Sequence, residues 1–98
     1  MEAAGVESGE RVWRLPLWKQ YRTLVKSNVA DLKNSGGREA GTIAAGIFLE
    51  NFVDGHPWVH LDIAATAWSN VARDYRSKGA TGVGVALLTR FMKRIHLE

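Results

Sequence analysis

The alternation of apolar and polar positions divides this chain into short segments of different period. Met1–Glu10 is small and polar with a stop at Ser8-Gly9, and reads as the frayed end of a helix that adds little. From Arg11 to Leu17 the side chains alternate, with Arg11, Trp13, Leu15 and Leu17 against Val12, Arg14 and Pro16. This predicts extended backbone, and Pro16 blocks a helix before it. Trp18, Tyr21, Leu24 and Val25 then recur at three- and four-residue spacing, with Lys19, Arg22 and Lys26 on the other side. This predicts a helix over 17–26 with Trp18 packed and the lysines in solvent.

Ser27–Ala40 gathers Ser27, Asn28, Asp31, Asn34 and Ser35 ahead of Gly36-Gly37 and reads as a long ordered loop. Arg38, directly after the glycine pair, either meets a partner or pairs with a carboxylate and pins the loop. Gly41–Val53 is apolar nearly all round, which predicts a helix that must be covered on several sides. Asp54-Gly55-His56-Pro57 reads as a turn. Trp58–Ile63 reads as a strand with Trp58, His60 and Asp62 on one face and Val59, Leu61 and Ile63 on the other. Ala64–Trp68 leaves the C-terminal end of that strand, the edge at which open α/β sheets place their crevices. After a polar loop and the run GATGVG, Val85, Leu88, Phe91, Met92 and Ile95 mark an amphipathic last helix with Arg90, Lys93 and Arg94 in its later turns. Leu97-Glu98 reads as an appended tail. The order of a buried helix, a turn and a strand predicts part of an α/β domain.

Composition narrows this picture. The chain has 98 residues, 46% hydrophobic and 23% charged, so it is at most one globular domain. The absence of cysteine excludes disulfides and thiolate metal sites and fits a cytoplasmic protein. No basic-then-apolar segment opens the chain. The uncharged run Ala40–Leu49 falls short of the roughly 18 to 20 residues of a membrane span, so no membrane association is expected. A net charge of +3 is concentrated in Arg11–Lys26, where Arg11, Arg14, Lys19, Arg22 and Lys26 stand without a carboxylate. With no accompanying recognition motif, this stretch is expected to be a solvated or partner-facing surface rather than a nucleic-acid site.

The chemistry-bearing residues form no complete catalytic motif. His56 and His60 are four apart, but Pro57 lies between them and no Glu follows the first, so the metalloprotease helix is absent. His60 and Asp62 share a strand face and are expected to form a structural hydrogen-bonded pair rather than an acid/base couple. The Gly79–Gly84 run lacks the Lys of a phosphate loop. It reads as a tight loop that starts the last helix close to the sheet.

Read as words, Ala30-Asp31-Leu32, Gly36-Gly37-Arg38, Trp58-Val59-His60-Leu61-Asp62-Ile63-Ala64 and Gly79-Ala80-Thr81-Gly82 closely resemble the C-terminal part of the leucyl (cytosol) aminopeptidase family. The likeness runs from Ser8 to Phe91. The resemblance implies that residues 1–98 are a single unit, a fragment of a mixed-sheet α/β catalytic domain with helices packed on the sheet. It also implies a cytoplasmic, hexameric hydrolase that uses two divalent metal ions, manganese or zinc, to remove N-terminal residues from peptides, leucine preferred. The partners it implies are peptide substrates, the rest of the aminopeptidase chain and further copies of the subunit.

The family signature Asn-Thr-Asp-Ala-Glu-Gly-Arg and the lysine and aspartates that hold the metals lie upstream of the matching segment. No catalytic or metal-binding residue is therefore assigned here, and the chain alone is expected to bind no metal and to be inactive. The resemblance carries over one wall of the pocket for the substrate's first side chain, at Ala64 and Ala67. Ala65 stands where the family usually has Gly. The alternative is a non-enzymatic truncated relative, a protein-interaction module working through an exposed sheet edge and an apolar helix.

Overall fold

The computed structural model describes residues 1–97. Its Cα positions divide into two compact units, one made of Met1–Arg14 and Asp62–Glu98 and the other of Leu15–Leu61. The described elements are three α-helices, one 3₁₀ helix and a two-stranded antiparallel sheet, a mixed α/β arrangement. None of the described helices is long and apolar enough to cross a membrane. Glu98, read as part of an appended tail, lies outside the described residues.

The discontinuous unit joins the first and last segments of the sequence. Helix α1 (Glu2–Ser8) packs against α3 (Val85–Leu97), with Ala4 and Leu87 buried where they meet. The expectation that Met1–Glu10 adds little is therefore corrected: Ala4 is 0% exposed. The stop at Ser8-Gly9 is as expected, because Gly9 takes the left-handed conformation (φ 77°) that ends α1. Gly5 lets the chain double back at close range, since a Cβ there would stand 2.9 Å from the Glu10 carbonyl oxygen. Glu7 faces Arg90 at 3.4 Å and also pairs with Arg94. These pairs are partly exposed and contribute about 0–1 kcal/mol each.

Glu10 has a larger role. Its Oε2 accepts the Gly84 N–H at 3.0 Å and the Leu87 N–H at 2.8 Å, capping two of the donors that the first turn of α3 leaves unpaired. Between the helices, β1 (Trp68–Ser69) pairs antiparallel with β2 (Gly79–Ala80) in the register Trp68–Ala80 and Ser69–Gly79.

The continuous unit is built on α2 (Gly41–Glu50), which buries Ala44, Gly46 and Ile47 and packs against a 3₁₀ helix at Lys19–Val25. The helix predicted over 17–26 thus forms in the tighter 3₁₀ geometry. A seven-residue segment with no side-chain cap, set between extended residues at Trp18 and Lys26, is too short for a stable α-helix. Three residues per turn place Trp18 over Tyr21, and the two rings stack at 5.8 Å. Trp18, expected to be packed, is 62% exposed.

The predicted loop at Ser27–Ala40 is present. Ser27 Oγ accepts the Val29 and Ala30 N–H groups at 3.2 and 3.1 Å, and the Lys33 N–H returns to the Val25 carbonyl at 2.8 Å. Helix α2 ends three residues before the predicted Val53, as Asn51 Nδ2 caps the Ile47 carbonyl at 2.9 Å. Its cover is incomplete, with Leu49 exposed and Phe52, just beyond its end, 66% exposed.

The strand predicted at Trp58–Ile63 does not form. A strand requires a neighbour to complete its hydrogen-bond ladder, and no described residue pairs with 58–63. Within the continuous unit, the mixed face is the more buried: Trp58 and His60 are half-buried with their rings 6.4 Å apart, while Val59 is exposed.

Candidate substrate-pocket wall

The site implied at Ala64 and Ala67 lies wholly in the discontinuous unit. Its backbone is shaped by Asp62, whose Oδ1 accepts the Ala64 N–H at 3.0 Å and turns the chain as soon as it leaves Ile63. The Ile63 carbonyl then accepts both the Thr66 and the Ala67 N–H at 2.9 Å, closing a single helical turn. Thr66 Oγ1 donates to the same carbonyl at 3.3 Å. Ala64 is exposed on this turn and Ala67 is half-buried beside it.

The Gly-rich loop holds the turn from the other side. Thr81 Oγ1 donates to the Thr66 carbonyl at 2.6 Å, and the Thr81 N–H donates to the Ala67 carbonyl at 3.0 Å. Thr81 Oγ1 also accepts the Val83 N–H at 3.3 Å, so one side chain links the turn to the loop that leads into α3. Gly82 and Gly84 take φ values of 69° and 97° there, which side chains rarely adopt. The sequence reading of GATGVG as a tight loop starting the last helix holds for Thr81–Gly84, whereas Gly79–Ala80 form β2, and it overlooked Thr81. A lone hydroxyl between glycines was the available signal, since it can reach a carbonyl that a Gly-rich backbone brings close.

Other sequence candidates lie elsewhere. His60 belongs to the continuous unit, close to Gly46 of α2, and the Asp62 Oδ1 bond goes to Ala64. Arg38 is exposed and forms no ion pair among the described residues, so it does not pin its loop through a carboxylate. Of the basic stretch, Arg22 pairs with Glu50 at 3.8 Å. Depressions on the described surface lie away from this turn. One of about 380 Å³ lies beside Glu7, Arg90 and Lys93, and one of about 200 Å³ lies between Asn34–Gly37 and the start of α2; neither includes Ala64 or Ala67.

The donor set does not suit a divalent-ion centre. Among the described residues, no group of three or more His, Cys, Asp or Glu side chains is placed to hold a metal ion.

A model of the cytosol aminopeptidase family's catalytic domain matches residues 1–89. A probable cytosol aminopeptidase of Geobacter sp. (strain M21) is 54% identical over 94 residues, 96% of this chain and 19% of that protein. One of Geobacter sulfurreducens is 55% identical over 93 residues, 95% of this chain and 19% of the relative. One of Clostridium perfringens is 48% identical over 94 residues, again 96% and 19%. The chain therefore spans about a fifth of the length of these relatives.

Proposed function

Because the chain belongs to the cytosol aminopeptidase family, we propose that its residues serve a metal-dependent leucyl aminopeptidase as one wall of the pocket for the substrate's N-terminal side chain. The observation that carries this reading is the 63–67 turn, which presents Ala64 and Ala67 on backbone fixed by hydrogen bonds at both ends. Methyl groups on a fixed turn leave room for a branched aliphatic side chain and offer it an apolar surface, and a bulkier residue at either position would fill that space. The two divalent ions, manganese or zinc, find no ligand set among the described residues, so the contribution of these residues is to bind and orient. Peptide substrates, the remainder of a longer aminopeptidase chain, a hexameric assembly and a cytoplasmic setting belong to the same proposal.

In the full-length enzyme carrying these residues, Ala64→Phe or Ala67→Phe is expected to lower kcat/KM for leucyl relative to alanyl p-nitroanilide by about tenfold or more. An unchanged ratio removes both residues from the pocket. The 98-residue chain by itself is expected to give no leucyl hydrolysis with added manganese, and turnover there overturns the assignment of hydrolysis to residues beyond it.

A second reading, an interaction module without catalysis, is favoured by one feature of α3. Val85, Leu88, Met92 and Ile95 form a stripe at three- and four-residue spacing, between 44% and 70% exposed, beside the face that packs on α1.

A further inference from the structure

We infer that Thr81 is a positioning residue for side-chain selectivity: it sets the place of the pocket wall without touching the substrate. The inference rests on the reading of Ala64 and Ala67 as that wall. The turn that carries them, 63–67, is five residues long and exposed at every position but Ala67, so packing alone does not fix its height or tilt. Hydrogen bonds do. Asp62 holds the entry to the turn through the Ala64 N–H, and the exit is held by Thr81, whose hydroxyl and amide engage the successive carbonyls of Thr66 and Ala67 at 2.6 and 3.0 Å.

Of these two contacts, the amide bond continues the β1–β2 pairing and any residue at 81 except proline would supply it. The hydroxyl bond depends on the side chain. It restrains the Thr66 carbonyl, next to the Ala67 carbonyl that the amide holds, and so adds a second restraint at the exit of the turn. Thr81 is in turn placed by the loop that Glu10 anchors at Gly84, so the wall is referenced to the start of α3. Replacing the hydroxyl by a methyl keeps the shape of residue 81 and releases that one restraint. The turn then tilts, and the two alanine methyls shift against a substrate side chain.

The experiment uses the full-length enzyme carrying these residues and compares Thr81→Val, Thr81→Ser and Ala67→Phe on leucyl and alanyl p-nitroanilides. Thr81→Val is expected to change the leucyl-to-alanyl ratio of kcat/KM by up to about tenfold, the effect of a methylene-sized change in an apolar pocket. The change is expected mainly in KM for the leucyl substrate, and Thr81→Ser, which restores the hydroxyl, is expected to restore the ratio. If Thr81→Val lowers both substrates equally, or Thr81→Ser shifts the ratio as much as Thr81→Val does, the positioning role is overturned. If Thr81→Val alone leaves the ratio unchanged while Ala67→Phe alters it, the wall stands and the role of Thr81 falls. If Ala67→Phe also leaves it unchanged, the wall itself is wrong and the inference falls with it. Should Thr81→Val fail to fold, Thr81→Ser still decides, because a folded serine variant with an altered ratio contradicts the hydroxyl's role.

Discussion

Gly36 sits where a Cβ would stand 2.9 Å from the Ala44 Cβ and 3.3 Å from both the Cβ and the carbonyl oxygen of Leu24. The loop thus lies close against α2 at Ala44 and against the 3₁₀ helix at Leu24, and the Leu24 backbone oxygen cannot give way easily. Gly36→Ala is therefore expected to destabilise the 98-residue chain by about 1–3 kcal/mol through overpacking. Gly46 provides the contrast. A Cβ there would meet Leu17 Cδ2 at 3.1 Å, the tip of a side chain that is itself 38% exposed and free to move. Gly46→Ala should thus be neutral or stabilising by up to about 1 kcal/mol, the helix-propensity difference between the two residues. Denaturant midpoints of the two variants check the pair, and a loss for Gly46→Ala equal to that for Gly36→Ala would show that Leu17 is held as firmly as backbone. The sequence marked Gly36-Gly37 as part of a long ordered loop, but not what packs against it. Leu24 and Ala44 become its neighbours through folding of the whole unit.

Helices α2 and α3 were legible because each buries or repeats apolar residues over ten or more positions, which periodicity records directly. Trp58–Ile63 misled for a physical reason: alternation shows what a strand would offer to its two faces, and a strand also needs a neighbour. The cap on α3 was illegible in another way. Glu10 satisfies the Gly84 and Leu87 N–H groups across 74 and 77 residues, and no local pattern encodes a separation of that size. Its importance is nonetheless measurable. Glu10→Ala is expected to destabilise the discontinuous unit by about 0.5–2 kcal/mol, the usual range for loss of an N-cap acceptor. Glu10→Gln, which keeps an acceptor oxygen and loses the charge near the positive end of the helix, should lose less. Amide exchange at Gly84 and Leu87 reports the change directly, and unchanged protection in Glu10→Ala would show that the contact does not cap the helix.

At the scale of the molecule, few large side chains are buried: Ile47, Val25 and Leu87 carry most of the two small cores. The exposed stripe of α3 has the spacing that pairs helices side by side. The isolated chain is accordingly expected to self-associate, with a light-scattering mass that rises with concentration, and the double substitution Leu88→Glu with Met92→Glu should return it toward a monomer. A parent chain that stays monomeric at every concentration would show that the stripe is not adhesive. The family was legible in the sequence because its words are local strings. The placement of Ala64 and Ala67 came with that resemblance, whereas the hydrogen bonds that hold them became visible in three dimensions.

The bond from Glu10 to the start of α3 also bears on the order of events during synthesis. Helix α1 has seven residues, well below the roughly 12–15 at which a helix persists alone in water, and its packing partner lies near the other end of the chain. Translation at about 5–20 residues per second leaves an interval of roughly 4–15 s between the emergence of Glu10 and that of Leu87. Through that interval Leu15–Leu61, continuous in sequence, is free to fold while Met1–Arg14 waits without a partner. Closing so long a loop adds an entropic penalty that grows slowly with its length. Met1–Arg14 thus emerges well before its packing partner, and nascent chains depend on the arrival of α3 to shield it.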